Sequence, residues 1–308
     1  MNIQSLKHKR ILFTGGLGFI GKSFVRSLLD DNIDVVVLDK AARNTNDKTT
    51  QDFQIIRGDV TLEQTWKRLP KCEFLFHFAA PSSVILFHEN LNECVNTTVK
   101  GFVHALNWAN KTCVEKVIYP SSGSIFGENS GACSEETPPF PLNTYGQTKF
   151  ACEHIARVYA NVVPTLGLRI FAGYGPQENH KGNIASVITL FLNKILLKKS
   201  PVIYGNGKQT RDFVYIDDIV DALYASMDPH ITGVLNIGSG ESVSFNDVIR
   251  TINILLHTNI KPTYIQKPQH YLQHTKCDPS RIEHLLHHPM IPLKKGLSRY
   301  LKELKVIS

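Results

Sequence analysis

Short apolar runs alternate with helix-compatible stretches through the first two-thirds of the chain, and this alternation restricts the fold more than any other feature. The runs are RILFT (10–14), VVVLD (35–39), FQIIRGDV (53–60), FLFHFAA (74–80), KVIYPSS (116–122) and LGLRIFA (166–172), bounded by glycine, proline or polar turns. Between them, Gly18 to Leu29, Cys94 to Asn110 and Tyr145 to Val162 suit helices. Apolar strands separated by helices imply parallel strands, joined by right-handed crossovers and covered on both faces. The expectation is an α/β fold, a doubly wound parallel sheet.

Beyond Tyr174 the pattern loosens. GYGPQENHKGN is rich in turn formers and is expected to leave the sheet toward a ligand. IASVITLFLNKILL (184–197) comes nearest to a membrane span, but Asn193 and Lys194 interrupt it. Its apolar residues Ile184, Val187, Ile188, Phe191 and Ile195 recur at helical spacing, which predicts a core-facing helix. VYIDDIVDALYASM (214–227) reads as a helix and GVLNIGSG (233–240) as a strand and turn. SVSFNDVIRTINILL reads as a helix capped by Ser244. These readings give a main domain over 1–172, with a return at roughly 214–238, and a smaller lobe over 173–213 and 239–308.

Composition narrows the classes of partner. With 308 residues, 42% hydrophobic and 20% charged, the chain can bury a substantial core. A net charge of +7 suits an anionic ligand. The Lys and Arg residues are dispersed, however, and no basic stripe is interleaved with aromatics, so a phosphorylated small molecule is expected rather than nucleic acid. The apolar stretch near the N-terminus is too short for a signal peptide and no run approaches a membrane span. Six scattered cysteines with no CxxC pair therefore read as reduced thiols of a cytoplasmic protein. The thirteen histidines show no ligand spacing, so no metal is expected, and His284, His287 and His288 read as solvated.

ILFTGGLGFIGKSF places Gly15, Gly18 and Gly21 between the first strand and a helix. Glycines there let a pyrophosphate approach the backbone at the helix N-terminus, although a tight strand–helix turn alone would use them too. Asp39 closes the second strand, where an acid can bind the adenosine ribose hydroxyls. Its carboxylate favours NAD over NADP, and Lys40 and Arg43 work against that preference. Asp59 and Val60, ending the third strand, are expected beside the adenine.

TGGLGFIG, HFAA, PSSGSIFG, YGQTK, GYGP and QTRDFVYIDDIVDA occur in the order seen in extended short-chain dehydrogenase/reductases acting on nucleotide sugars. The chain resembles that family over nearly its whole length. The resemblance implies a Rossmann-like sheet with a smaller C-terminal substrate-binding lobe, and NAD as cofactor. Phe19 and Ile20 in the glycine segment, and Ala79 and Ala80 in HFAA, would join the cofactor site. Tyr145 would transfer the proton, while Lys149 would hold the nicotinamide ribose and favour the phenolate. The two lie four apart on one helix face, and a phenol with a pKa of about 10 needs such a positive neighbour. Ser122, four before Phe126, would bind the sugar hydroxyl and relay its proton. Arg211 matches the family's diphosphate-binding arginine, and Asn96 matches a structural asparagine.

Departures from the family pattern refine the chemistry. Dehydratases of this family follow the catalytic residue with Asp-Glu, and a decarboxylase carries Glu at the second of those positions; here stand Gly123 and Ser124. Relatives acting on uronic acids often have arginine shortly after YGP, where this chain has Gln177, Glu178 and Asn179. Ala172 replaces an asparagine that epimerases use near the substrate diphosphate, and this departure weighs against the assignment. The resemblance then implies an NAD-dependent 4-epimerase of the UDP-hexose or UDP-N-acetylhexosamine type, acting through a transient 4-keto sugar. It also implies a homodimer through paired helices, with Val99, Phe102, Val103, Leu106, Phe150 and Ile155 as surface, unless these serve their own core. Another NAD-linked nucleotide-sugar oxidoreductase, such as a ketosugar reductase or unusual dehydratase, stays open. So does a non-catalytic NAD-binding regulator.

Overall fold

A computed structural model describes residues 3–42, 53–129, 131–267 and 271–307; Arg43 lies outside the described residues. Two compact units emerge, one of Met1–Ser122, Thr144–Arg169 and Val220–Leu235, the other of Gly123–Asn143, Ile170–Ile219 and Asn236–Ser308.

The first unit holds β1 (Arg10–Thr14), β2 (Asp34–Asp39), β3 (Gln54–Arg57), β4 (Phe74–His77), β5 (Lys116–Ser122) and β6 (Thr165–Ile170). Three later strands, β7 (Ala172–Tyr174), β8 (Val202–Tyr204) and β9 (Thr210–Tyr215), precede β10 (Gly233–Ile237). Among the described residues, β1–β6 and β10 form a seven-stranded parallel sheet of order β10-β6-β5-β4-β1-β2-β3. Leu12 of β1 sits beside Val36 on one side and Leu75 on the other. Strand order therefore reverses between β1 and β4, the place where such sheets open a crevice at their carboxyl ends.

Helices follow the strands: α1 (Phe19–Asp30), α2 (Glu63–Trp66), α3 (Val84–Glu89), α4 (Leu91–Val95), α5 (Gly101–Thr112) and α6 (Thr144–Tyr159). Successive strand residues point to opposite faces, so both faces of β1 must be covered. On one face Leu12, Leu75 and Val117 meet Phe102 and Leu106 of α5 and Cys152 and Ala156 of α6. On the other, Phe13 and Phe76 stack with centroids 5.7 Å apart, and Phe24 of α1 lies 4.9 Å from Phe76. Each such side chain, fully buried, contributes about 2 kcal/mol. This is the doubly wound arrangement that the alternation of apolar runs predicts.

Phe102 and Leu106 thus serve their own core and are unavailable as dimer surface. Asn96 begins a π-helical turn (Asn96–Lys100) that joins α4 to α5, and its side chain is exposed.

In the second unit β9 pairs in parallel with β7 and antiparallel with β11 (Ser242–Ser244), while β8 pairs with β12 (Thr263–Ile265). The α-helices here are α7 (Val187–Leu196), the start of α8 (Ile216–Ala225), α9 (Phe245–Leu256), α10 (Ser280–Leu286) and α11 (Leu293–Glu303), among the described residues. Ser244 caps α9, its hydroxyl accepting from Asp247 N at 3.1 Å. Val214 and Tyr215, expected in a helix, instead end β9. Both are buried, and pairing with Gly173 and Tyr174 of β7 satisfies their backbone where a helix start would not.

The unit boundary also differs from the expected one at Gly123–Asn143, which groups with the second unit. Backbone contacts explain it: Cys133 N donates to Lys276 O and Asp278 N donates to Cys133 O, each at 2.9 Å.

Helix α6 is tied to the sheet by a buried ion pair. Arg169 of β6 donates through Nε to Glu153 Oε1 at 3.0 Å and through Nη2 to Oε2 at 2.8 Å. Ser121 Oγ of β5 donates to the same carboxylate at 2.5 Å. Removing one partner of such a pair leaves the other charge buried. Glu153→Gln should therefore lower unfolding stability by roughly 3 kcal/mol. Glu63→Gln, which breaks an exposed pair with Lys67, should leave it unchanged. Urea unfolding of both variants checks the contrast, and equal behaviour would contradict it.

Candidate active site

The site begins where β1 ends. Thr14 Oγ1 bonds His77 Nδ1 at 3.0 Å and accepts from Ala79 N at 3.2 Å, while Phe78 N donates to Thr14 O at 3.0 Å. The chain leaving β4 is thereby laid against the turn that follows β1. Gly15 has φ +75°, and a Cβ there would come within 2.8 Å of Ala79 N and the Phe78 carbonyl carbon. A Cβ at Gly21 would stand 2.6 Å from Gly15 O. Both positions admit only glycine, one for backbone conformation and contact, the other for contact alone.

Gly18 differs. Its Cβ would meet only Gly15 O, at 3.2 Å, a tight contact but not the outright clash found at Gly15 and Gly21. It is the N-cap of α1, contributes no side-chain cap, and no acidic residue follows in the first turn. The positive end of the helix dipole is therefore left without a side-chain partner of its own, an arrangement suited to an anion.

Next to the turn lies a cavity of about 330 Å³. Its walls include Gly15, Asp39, Asp59, Val60, Ala79 and Ala80, six positions expected at the cofactor. Asp39 Oδ2 accepts from Leu17 N at 3.0 Å and Oδ1 from Ala41 N at 2.9 Å. Asp59 Oδ1 accepts from the backbone and hydroxyl of Thr61 at 2.8 and 2.7 Å. The volume and its backbone-held carboxylates suit a nucleoside with free ribose hydroxyls. Gly18, Phe19, Ile20 and Gly21 do not line this cavity; Phe19 is buried in the packing of α1.

One wall was not read from the sequence. Glu89, Asn90 and Glu93, on α3 and α4, line the cavity, as does Lys40. A signal was present, since Asn90 is a natural N-cap for α4 with Glu93 three residues on. Asn90 Oδ1 accepts from Glu93 N at 3.3 Å, and Asn90 Nδ2 donates to Glu93 Oε2 at 2.9 Å.

Ser122, Tyr145 and Lys149 come together in the first unit. The Ser122 hydroxyl, at the end of β5, hydrogen-bonds the Tyr145 phenol, and this draws its pKa down. Burial is the larger influence and leaves the phenol above its ordinary value. Lys149, one turn further along α6 and 3% exposed, places Nζ 5.8 Å from the Tyr145 ring centroid. Burial pushes its ammonium down to about 8. Burial, and secondarily the Lys149 charge, hold His77 at about 3, so that imidazole is neutral. Phe87 of α3 meets the Tyr145 ring edge-on at 5.5 Å and fixes its orientation. The trio can move a proton to or from an alcohol once additional positive charge favours the phenolate.

The remaining expected residues lie in the second unit. Arg211 of β9 has its guanidinium 5.6 Å from the Phe245 ring centroid and 5.4 Å from that of Tyr271. It donates to Thr210 O at 2.8 Å and Leu272 O at 2.7 Å, so backbone carbonyls orient it. Ala172 pairs with Phe213 in the small sheet. Glu178 turns fully inward, accepting from Lys181 Nζ at 2.8 Å and Thr189 Oγ1 at 2.7 Å. Gly123 faces the Phe171 ring, which stacks on Phe126; a Cβ at 123 would fall 2.9 Å from that ring. Among the described residues, no three His, Cys, Asp or Glu side chains gather as metal ligands would.

Comparison with known proteins supplies a context. The family model described as the NAD dependent epimerase/dehydratase family matches residues 11–238. The crystal structure of UDP-glucose 4-epimerase from Thermotoga maritima superposes with a TM-score of 0.89 at 26% identity, covering 96% of this chain and 98% of that one. The ADP-L-glycero-D-manno-heptose-6-epimerase of Alkalilimnicola ehrlichii is 31% identical over 88% of this chain and 90% of its own. The UDP-N-acetyl-alpha-D-glucosaminuronate decarboxylase of Bacillus cytotoxicus is 28% identical over 96% of this chain and 97% of its own. Related folds therefore serve different reactions, and residues must discriminate among them.

The glycine geometry predicts two different failures. Gly15→Ala should destabilise the protein by about 1–3 kcal/mol through its positive φ and its clash with the Phe78–Ala79 backbone. Gly18→Ala should keep near-normal stability while weakening dinucleotide binding. Thermal unfolding alongside assay of bound nucleotide separates them, and a Gly18→Ala protein that keeps full binding would contradict the assignment.

Proposed function

The chain belongs to the NAD-dependent epimerase/dehydratase family, and from that premise we propose that it is a nucleotide-sugar 4-epimerase working through a transient 4-keto sugar. The glycine turn and the acid-lined cavity fit NAD: Gly15 lines the cavity, a Cβ at Gly15 or Gly21 would force the turn apart, and Asp39 offers its carboxylate to ribose hydroxyls. Gly15, Gly18, Gly21, Asp39, Asp59, Val60, Ala79 and Ala80 hold the cofactor in this reading, with Phe19 and Ile20 forming the first turn of α1. Bound there, NAD would supply the reversible hydride acceptor that chemistry at the sugar's C4 needs.

Tyr145 removes the 4-hydroxyl proton, Ser122 bonds that hydroxyl and relays the proton, and Lys149 holds the phenolate by its charge and the cofactor by its ribose. Arg211, pre-oriented by carbonyls, pairs with the substrate diphosphate.

The observation that carries 4-epimerisation over water loss or decarboxylation is the pair following Ser122. Neither Gly123 nor Ser124 can act as a carboxylic acid–base, and the Phe171 ring leaves no room for a side chain at 123. Removal of a C4 hydrogen and its return to the opposite face of a ketosugar that has turned over needs no acid–base group beyond the trio, the hydride being carried by NAD. Ala172, in place of the usual asparagine, favours a second reading: a ketosugar reductase or other oxidoreductase of nucleotide sugars. NMR of products from UDP-, GDP-, dTDP- and CDP-sugars distinguishes them. The epimerase gives a C4 epimer with no net change in cofactor; stoichiometric consumption of NADH or NADPH would replace it with the second reading.

The same scheme predicts graded variants. Tyr145→Phe keeps the ring's packing but should lower turnover at least ~10²-fold, the lower range for a positioned acid–base. Lys149→Met should lose activity and also release NAD, whereas Ser122→Ala should be the mildest, because water replaces part of a relay. Single-turnover rates with NAD content separate chemistry from binding. A Tyr145→Phe enzyme with undiminished turnover would contradict the scheme.

We also propose a homodimer in the cytoplasm. Val95 of α4 and Val158 of α6 are exposed, and among the described residues no helix is long and apolar enough to cross a membrane. Val99, Val103, Phe150 and Ile155 are half-buried and can add to that surface. Light scattering at micromolar concentration should give twice the 34.6 kDa chain mass; the chain mass itself would refute the dimer.

A further inference from the structure

The cavity beside Asp39 has an uneven charge. Asp39, Asp59, Glu89 and Glu93 line it, and Lys40 is the only basic side chain among its described lining residues. Lys40 directly follows the ribose-binding acid, so it is the natural partner of a phosphate carried on the adenosine ribose. It is already engaged: Nζ lies 3.1 Å from Glu93 Oε1. The other oxygen of that carboxylate accepts from Asn90 Nδ2 at 2.9 Å, and Glu93 N donates to Asn90 Oδ1 at 3.3 Å. Glu93 is therefore held in place by Asn90, the N-cap of α4, while its other carboxylate oxygen faces Lys40.

We propose that Glu93 is a specificity-determining residue for the dinucleotide: it sequesters Lys40, so that NADP meets no available cation among the described residues that line the cavity. The inference rests on the reading of this cavity as the adenosine site. Asp39 repels the ribose phosphate directly, but both of its oxygens accept backbone N–H groups, from Leu17 and Ala41, so its position is set independently of Glu93. The two acids act on different steps of discrimination. Asp39 bonds the ribose hydroxyls of NAD; Glu93 removes the compensation that a neighbouring lysine would give to NADP.

Both members of the Lys40–Glu93 pair are more than half exposed, 62% and 57%, so the effect is that of a solvated charge pair and not of a buried one. Freeing Lys40 and removing one negative charge should tighten NADP binding by about fivefold to tenfold. Binding of NAD, which has no phosphate there, should change by less than about threefold.

The test titrates full-length protein, stripped of nucleotide, with NAD and with NADP by calorimetry. Glu93→Gln keeps the hold on α4, since the glutamine oxygen can still accept from Asn90 Nδ2 and its backbone N–H can still donate to Asn90 Oδ1. It should raise NADP affinity while sparing NAD. Lys40→Gln combined with Glu93→Gln should lose the gain, because no cation remains to be freed. Unchanged NADP affinity in Glu93→Gln, or a gain that persists in the double variant, would overturn the role of Glu93 while leaving the cavity reading intact. Wild-type protein that bound neither dinucleotide would overturn both.

Discussion

The buried contact of Glu153 with Arg169 and Ser121 is the constraint on which the catalytic geometry depends. Tyr145, Lys149 and Glu153 fall at successive turns of α6, on one face, because each is four residues from the next. Glu153 meets β5 through Ser121 and β6 through Arg169. That fixes the rotation and height of α6 over the sheet. The position of Tyr145 relative to Ser122, the very next residue after Ser121, follows from the same anchor. A bidentate guanidinium–carboxylate pair suits this task because its planar fork specifies direction as well as distance.

Burial then sets what the trio does unaided. It raises the Tyr145 phenol and lowers the Lys149 ammonium to about 8, so each group is pushed toward its neutral form. His77 is held neutral by the same surroundings. Such a trio favours no ionised phenol until positive charge is placed beside it, and in the proposed scheme NAD⁺ would bring that charge. In the proposed scheme proton transfer at Tyr145 would therefore be coupled to occupation of the cofactor site, which keeps an ionised phenol from existing without a hydride acceptor nearby.

Much of this was legible in the sequence. Apolar runs gave the parallel strands, Gly15 and Gly21 marked positions where a Cβ cannot fit, and the four-residue interval in YGQTK gave the shared helix face. Other features were hidden for identifiable reasons. Val214 and Tyr215 look helical beside IDDIVDA, and only pairing with β7 makes them strand. The Asn90-x-x-Glu93 cap is a short local signal outside the main hydrophobic periodicity, so the cavity wall it builds went unread. Phe102 and Leu106 fit an interface or a core equally well by periodicity, and the packing on Leu75 and Val117 decides for the core. Glu178 sits in a turn-rich loop, where nothing in the sequence shows that Thr189 and Lys181 draw it inward.

The central claim is that one hydrogen leaves the sugar's C4 and returns to the same carbon within one active site. A nucleotide hexose deuterated at C4, converted in ordinary water and followed by NMR, tests it most directly. The account predicts a C4 epimer that retains the deuterium at C4, with no NADH accumulating in solution. Loss of the label to solvent, or NADH formed in proportion to product, would contradict it.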